Sequence, residues 1–191
     1  MGRFAALALP SVALAATALA AGAAPAEAAG EDSPPQSCVL NMDTGVYTCF
    51  DDIQAMVMAR TGGTITDVTT LSQLLKPGNM ARVTKASEAA ADEVQAASTV
   101  VNAVLYDGAN MSGASLLMEA SSGCDDDAGW DWQWASLRSD WDDRMSSGRG
   151  YSKCQVRAYE GVQFSGSMTG KWDAIYNMGV MNNATSSIRM Y

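Results

Sequence analysis

Tyr106-Asp-Gly-Ala-Asn-Met-Ser-Gly113 recurs further along this chain as Tyr159-Glu-Gly-Val-Gln-Phe-Ser-Gly166. A second pair follows in the same order, with Asp142-Asp-Arg-Met-Ser-Ser147 matched by Asn182-Asn-Ala-Thr-Ser-Ser187. An internal repeat of this kind predicts one structural unit that is built twice. The C-terminal half of the chain is therefore expected to contain two copies of a single supersecondary motif.

The first pair of stretches predicts a β-hairpin that folds over itself beneath an aromatic side chain. The glycine near its end can adopt backbone conformations that a Cβ atom disfavours. Here the chain resembles the βγ-crystallin superfamily, whose motif places an aromatic, four residues, a second aromatic, one residue and then glycine. Tyr159, Phe164 and Gly166 fit this pattern fully, whereas Met111 replaces the second aromatic in the earlier copy. The resemblance covers roughly residues 100–191.

The resemblance implies a mainly β fold, a Greek-key β-sandwich of two repeated motifs preceded by a small hairpin-plus-helix module. Short alternating runs such as Asn102–Tyr106 and Gln155–Tyr159 fit an antiparallel sandwich. Each motif is expected to lend a strand to the other's sheet. The predicted shared core consists of Val104, Tyr106, Leu116, Val156, Tyr159, Phe164 and Ile188.

The second pair of stretches fits the calcium-binding pattern of the same superfamily, and Ca²⁺ prefers oxygen ligands. The resemblance implies that the two loops cross, so that the serine of each completes a site built mainly by the other. The implied side-chain ligands are Asp143, Ser146, Asn183 and Ser186, and the implied carbonyl ligands are those of Arg144, Ala184, Asp107 and Glu160.

Two sites of unequal affinity are expected, because Asp142 and Asp143 carry charge whereas Asn182 and Asn183 do not. The alternative is that these residues only form turns and the following serines only begin strands.

The first 28 residues form a predicted signal peptide, with Arg3, an Ala/Leu/Val run and the small-residue cleavage site Ala26-Glu27-Ala28. We therefore expect a secreted, extracellular protein without a membrane span. Its removal leaves 11 basic and 20 acidic residues, so the net charge stays at −9. An acidic surface disfavours nucleic acid as a partner.

The four cysteines suit an oxidising compartment, and three pairings are open. We favour Cys38 with Cys49, because the Asp43-Thr-Gly45 turn between them predicts a hairpin that brings them opposite each other. That choice pairs Cys124 with Cys154. A metal-thiolate site is the alternative, but the cysteine spacings contain no Cys-x-x-Cys pair.

The predicted domain limits follow from these features. Residues 29–37 form a polar, disordered leader. Residues 38–83 form a module of the disulfide hairpin and a helix over 51–62, in which an aspartate caps the start and Gly62 ends it. Residues 84–99 form a linker or a helix, and residues 100–191 form the βγ-crystallin-like domain.

The segment Asp125–Trp134 falls where the first unit is 13 residues longer than the second. Its three tryptophans and its aspartates allow two interpretations. They form either an exposed contact surface or an edge strand whose indoles cover the sandwich, and we favour the strand.

The chain contains no histidine, which removes Ser-His-Asp and Cys-His catalysis and the usual base near neutral pH. We therefore expect a protein that is not an enzyme.

The wider layout consists of a signal peptide, the hairpin between Cys38 and Cys49, a short helix and the βγ-crystallin-like domain. This layout is similar to a family of secreted actinobacterial proteins grouped with peptidase inhibitors, whose prototype inhibits metalloproteinases. This resemblance implies an inhibitor of extracellular proteases, although the inhibitory loop of that family has no signature that can be placed here residue by residue. We expect a monomer whose partner is a secreted protease. The alternative is a calcium-stabilised structural or cell-surface interaction module without a protease target.

Overall fold

The computed structural model of the protein describes residues 36–90, 99–125 and 127–191. The predicted signal peptide and nearly all of the predicted leader lie outside these residues, as does the segment 91–98. No helix among the described residues is long and apolar enough to cross a membrane.

The strands are β1 Ser37–Asn41, β2 Tyr47–Phe50, β3 Val100–Gly108, β4 Ser112–Ala120, β5 Trp132–Trp134, β6 Ser147–Gly150, β7 Val156–Gly161, β8 Ser165–Met168, β9 Ala174–Ile175 and β10 Ser187–Met190. The helices are α1 Ile53–Arg60, α2 Leu71–Leu74 and α3 Pro77–Ala90, with short 3₁₀ turns at Val162–Phe164 and Gly179–Met181.

Two sheets make up the β region, and they exchange strands. The first sheet has the order β2-β1-β4-β3-β6-β9 and the second has the order β5-β10-β7-β8. The first repeated unit contains β3 to β6 and the second contains β7 to β10. The third strand of each unit, β5 or β9, therefore lies in the sheet of the other unit. This confirms the predicted pair of Greek-key motifs that lend each other a strand.

The N-terminal hairpin extends the first sheet. Cys38 and Cys49 lie opposite each other on β1 and β2 and are bonded, as the sequence predicts. Strand β1 also pairs in parallel with β4 from Ser37 to Asn41. The hairpin thus shares a sheet with the repeated units, and the strand begins at the last residue of the predicted leader.

The helices follow local sequence signals. The Asp52 carboxylate accepts a hydrogen bond of 2.7 Å from the Ala55 N–H and so caps α1. The predicted helix over 51–62 is confirmed as α1. Pro77 starts α3, since proline needs no N–H partner in a first helical turn. Helix α3 continues across the predicted limit between residues 83 and 84. The domain limits as a whole stay predictions.

The apolar core is divided in two, which corrects the predicted single core. One cluster lies between the sheets and includes Leu116, Val156 and Ile188. Val104 and Tyr106 belong instead to a second cluster, on the opposite face of the first sheet, together with residues of the helices. The central strands β3 and β4 of the first sheet are therefore buried on both faces. The near-continuous apolar runs of β3 and β4 are the sequence signal for this burial.

The longer first unit supplies β5, which pairs with the C-terminal strand β10. Trp132 and Trp134 are partly buried against the core between the sheets, as favoured from the sequence, whereas Trp130 is 48% exposed. A second disulfide joins Cys124 to Cys154 as predicted. It links the start of the longer segment of the first unit to the residues immediately before β7.

Candidate metal centre

The two hairpins of the repeat have matching backbone conformations. Asn110 and Met111 have φ values of 58° and 60°, and their counterparts Gln163 and Phe164 have values of 54° and 61°. Left-handed values are unusual for residues other than glycine. Because they occur at the same positions in both copies, the sequence repeat is a repeat of backbone geometry as well.

A buried serine at the end of each loop closes the hairpin of its own unit. The Ser147 hydroxyl donates to the Gly108 carbonyl at 2.6 Å and accepts from the Met111 N–H at 2.9 Å. The Ser187 hydroxyl makes the equivalent bonds to Gly161 and Phe164, at 2.6 and 3.0 Å. These serines were not singled out from the sequence, although their recurrence as the last residue of both loops was a signal for them.

The two loops of the repeat are bonded to each other. The Asp143 N–H donates to the Thr185 carbonyl at 3.1 Å, and the Asn183 N–H donates to the Met145 carbonyl at 3.0 Å. Asp143 and Asn183 both have a φ of 55°. The second residue of each loop therefore turns in the same way and is anchored on the fourth residue of the other loop.

One group of candidate ligands forms around Asn183. The Ser146 hydroxyl donates to the Asn183 side-chain oxygen at 3.1 Å, which joins the fifth position of one loop to the second position of the other. The Ser146 N–H donates to the Tyr106 carbonyl at 2.8 Å, so this group lies beside the start of the first hairpin. The structure thus brings together Ser146, Asn183 and the segment that leads into Asp107.

The second group is related to the first by the repeat. The Ser186 N–H donates to the Tyr159 carbonyl at 2.9 Å, which places Ser186 beside the segment that leads into Glu160. Asp143 is anchored on Thr185, the residue before Ser186. In both groups the serine is buried and the second-position residue is exposed. Each group therefore combines an inner hydroxyl with an outer carboxylate or amide oxygen.

The charges around the two groups differ. Arg144 donates from two nitrogens, at 2.8 and 3.1 Å, to the carboxylate of Asp107, beside the Asn183 group. The counterpart of Arg144 is Ala184, which has no charge. Glu160 carries a carboxylate beside the Asp143 group, and hydrogen bonding from Ser167 holds the pKa of that carboxyl below its usual value. The Asp143 group is thus the more negative of the two.

The chemistry of these groups fits calcium better than a transition metal. All candidate side-chain donors are carboxylate, amide or hydroxyl oxygens, the hard ligands that Ca²⁺ prefers. Among the described residues, no cluster of three or more His, Cys, Asp or Glu side chains could hold a metal ion. Backbone carbonyls, such as those predicted at Arg144 and Ala184, would therefore have to complete any coordination shell.

The aspartates between Cys124 and β5 serve a local purpose. The Asp125 carboxylate accepts from the Asp127 N–H at 2.8 Å, and the Asp127 carboxylate accepts from the Gly129 N–H at 2.6 Å. Such bonds are typical of aspartates in turns. Burial, with the nearby Asp125 and Asp127, raises the pKa of Asp131. These contacts account for Asp125 and Asp127 as residues that stabilise a turn.

Comparison with known proteins finds solved structures that resemble this chain at low sequence identity. No family model matches the chain, and no curated protein matches it. The chain is similar to the N-terminal domain of protein S, with 16% identity over 47% of this chain and 94% of that one and a TM-score of 0.36. It is similar to a βγ-crystallin domain from Flavobacterium johnsoniae, with 21% identity over 47% of this chain and 92% of that one and a TM-score of 0.35. A βγ-crystallin domain from Clostridium beijerinckii shows 20% identity over 47% and 97% of the two chains and a TM-score of 0.32. With TM-scores this low, the assignment of a mainly β, two-motif Greek-key fold rests on the strand order and hairpin geometry of the chain itself.

Proposed function

We propose that this is a secreted, calcium-stabilised structural module that binds two Ca²⁺ ions where the two loops of the repeat meet. The observation that carries the proposal is the hydrogen bond between Ser146 and Asn183, which joins two predicted ligands from different loops. In our proposal, Ser146 and Asn183 hold one ion with the carbonyls of Ala184 and Asp107. Asp143 and Ser186 hold the other with the carbonyls of Arg144 and Glu160.

The two sites are proposed to differ in affinity. The Asp143 site offers a carboxylate, with a second carboxylate on Glu160 nearby. The Asn183 site offers a neutral amide, and the guanidinium of Arg144 lies beside it. Since ligand charge helps to set calcium affinity, Asp143 should belong to the tighter site.

Calcium would stabilise the fold by holding two loops that are far apart in sequence. Asp143 and Asn183 are separated by 40 residues, and only the folded chain brings their loops together. A ligand that binds the folded chain alone shifts unfolding by mass action.

Calorimetric calcium titration of Asp143→Ala and Asn183→Ala variants tests this proposal. Asp143→Ala should remove the tighter binding step and Asn183→Ala the weaker one. Asp142→Ala is the matched control, because it removes the same charge from the adjacent position, which is not in the proposed ligand set. Equal losses in all three variants would contradict the proposal.

Peptidase inhibition, which the resemblance implies, stays a prediction. The feature that fits it best is the exposed turn after Cys124, which the disulfide to Cys154 tethers and which carries the exposed Trp130. A panel of secreted metallo- and serine proteases tests this function independently of calcium binding. If every protease of the panel keeps its full activity in an excess of this protein, peptidase inhibition is excluded for those proteases.

A further inference from the structure

The internal repeat shows that the two sheets differ on their outer faces. Val104 and Tyr106, on the outer face of the first sheet, are buried against the helices. Their counterparts on the second sheet are Arg157 and Tyr159. Among the described residues, α1, α2 and α3 all pack against the outer face of the first sheet. The second sheet thus carries an arginine where the covered sheet carries a valine.

Two arginines lie side by side on this outer face. Arg157 on β7 pairs directly with Arg189 on β10 in the antiparallel register. Like charges at such positions repel each other. Within the described part of the chain, the ion pairs are those of Arg60, Arg82, Arg138 and Arg144, so neither Arg157 nor Arg189 has a carboxylate partner. In a chain with a net charge of −9, this is a local concentration of unneutralised positive charge.

Aromatic rings hold the arginines in place. The guanidinium carbon of Arg189 lies 4.0 Å from the centroid of the Phe164 ring, and that of Arg157 lies 5.6 Å from the centroid of Tyr191. The ammonium of Lys171 lies 3.6 Å from the same Tyr191 ring and adds a third positive charge. Stacking of this kind fixes a cation without neutralising it. Among the described residues, the buried Nε atoms of both arginines have no hydrogen-bond partner, so each guanidinium keeps an unused donor.

Two phenol hydroxyls lie within the same cluster. The hydroxyl oxygens of Tyr159 and Tyr191 are 3.4 Å apart. Burial alone would raise the pKa of Tyr159, but hydrogen bonding with Tyr191, Arg157 and Arg189 leaves that pKa below its usual value. A lowered phenol pKa means that the surroundings stabilise a negatively charged oxygen at that point. By contrast, burial and the hydrogen bond with Tyr159 raise the pKa of Tyr191, so the Tyr191 hydroxyl stays protonated and able to donate.

We propose that Arg157, Arg189 and the Tyr191 hydroxyl form a binding site for a sulfate or phosphate group on the outer face of the second sheet. Guanidinium groups bind such oxyanions through paired, charge-assisted hydrogen bonds. An oxyanion between the two arginines would also remove their mutual repulsion. The group can belong to a free anion or to an anionic polymer, since both present the same oxygens. This inference is independent of the calcium sites.

Titration with sodium sulfate, followed by calorimetry and by NMR of the arginine Nε–H signals, tests the site. The Arg157→Gln/Arg189→Gln double variant should bind sulfate more weakly, by roughly tenfold for each arginine removed. Arg149→Gln is the matched control, because Arg149 is the repeat counterpart of Arg189 on the first sheet. The Arg157→Lys variant keeps the charge but loses the paired geometry, so its weakened binding would show that the guanidinium itself is used. Melting curves verify that each variant is folded.

A second arm compares dextran sulfate with uncharged dextran to distinguish the sources of the anion. Much tighter binding of dextran sulfate than of free sulfate would identify a polymer, and similar affinities per sulfate group would identify a free anion. Either result supports the site, provided that the double variant weakens binding and Arg149→Gln does not. The absence of saturable binding of both probes, or an equal effect of Arg149→Gln, would overturn it.

Discussion

The hydroxyl of Ser146 donates a hydrogen bond of 3.1 Å to the side-chain oxygen of Asn183, which lies 37 residues further along the chain. This contact joins the two loops of the repeat at the positions expected to bind calcium. In the proposed sites, this contact is the reason for assigning each serine to the second-position residue of the other loop. Ser146 goes with Asn183, and by the repeat Ser186 goes with Asp143.

The crossed pairing predicts the effects of serine substitutions. Ser146→Ala should weaken the same calcium-binding step as Asn183→Ala, and Ser186→Ala should weaken the same step as Asp143→Ala. Calorimetric titration of the four single variants measures this directly. If each serine instead shares its step with the second-position residue of its own loop, the sites are not crossed.

Arg144 should limit the affinity of the weaker site. Its guanidinium pairs with Asp107 at 2.8 Å, close to the group that contains Asn183. An Arg144→Gln variant should bind calcium at this site about two- to fivefold more tightly, because an interaction with a partly exposed charge contributes up to about 1 kcal/mol. The exposed Arg138, which lies 3.5 Å from Asp140, provides the control variant Arg138→Gln. Unchanged affinity in Arg144→Gln would show that the arginine is electrically neutralised by Asp107.

Ser147 and Ser187 should be important for stability without binding calcium. Replacing either serine by alanine leaves the N–H and the carbonyl that it joins without a buried partner, which costs about 1–3 kcal/mol each. Urea unfolding at fixed calcium concentration measures the loss. Ser165→Ala is the control, because that hydroxyl donates to the Val162 carbonyl at an exposed position. A loss no greater than that of the control would show that these hydroxyls do not hold the hairpins.

Much of this architecture could be predicted from the sequence, because residues that recur in both copies have the same backbone conformation in both copies. Gly113 and Gly166 recur where both hairpins need a positive φ, so the two-motif architecture was predictable. The disulfides were predictable for a different reason, because the Asp43-Thr-Gly45 turn brings Cys38 opposite Cys49 and leaves Cys124 to pair with Cys154. The aspartate at the start of α1 was likewise a local signal, and the structure confirms that it caps the helix.

The division of the core was not predicted, because it depends on which element covers which face. Val104 and Tyr106 alternate with Ala103 and Leu105 along β3, and both pairs are apolar, so the strand itself does not show which pair faces the second sheet. Only the packing of α1 to α3 decides this. The pairing of β1 with β4 was missed for a similar reason, since a parallel contact between distant segments leaves no local sequence pattern.

The corner between β6 and β7 has no room for a side chain at Gly150. A Cβ atom built there would overlap the backbone carbonyl oxygen of Cys154, which cannot move freely because Cys154 is bonded to Cys124. Gly150→Ala should therefore destabilise the fold by about 1–3 kcal/mol, as overpacking generally does. Gly170→Ala is the control, because no atom lies within 4 Å of the Cβ that it would add. Similar melting temperatures for the two variants would contradict the described corner.

The most direct test of the central claim is a calorimetric calcium titration of the chain from residue 29 onward, paired with melting curves in calcium and in chelator. The proposed function predicts two binding steps of unequal affinity and a melting temperature that rises with calcium concentration. No binding heat, together with the same melting temperature in calcium and in chelator, would show that the two loops are turns only and would contradict the proposed function.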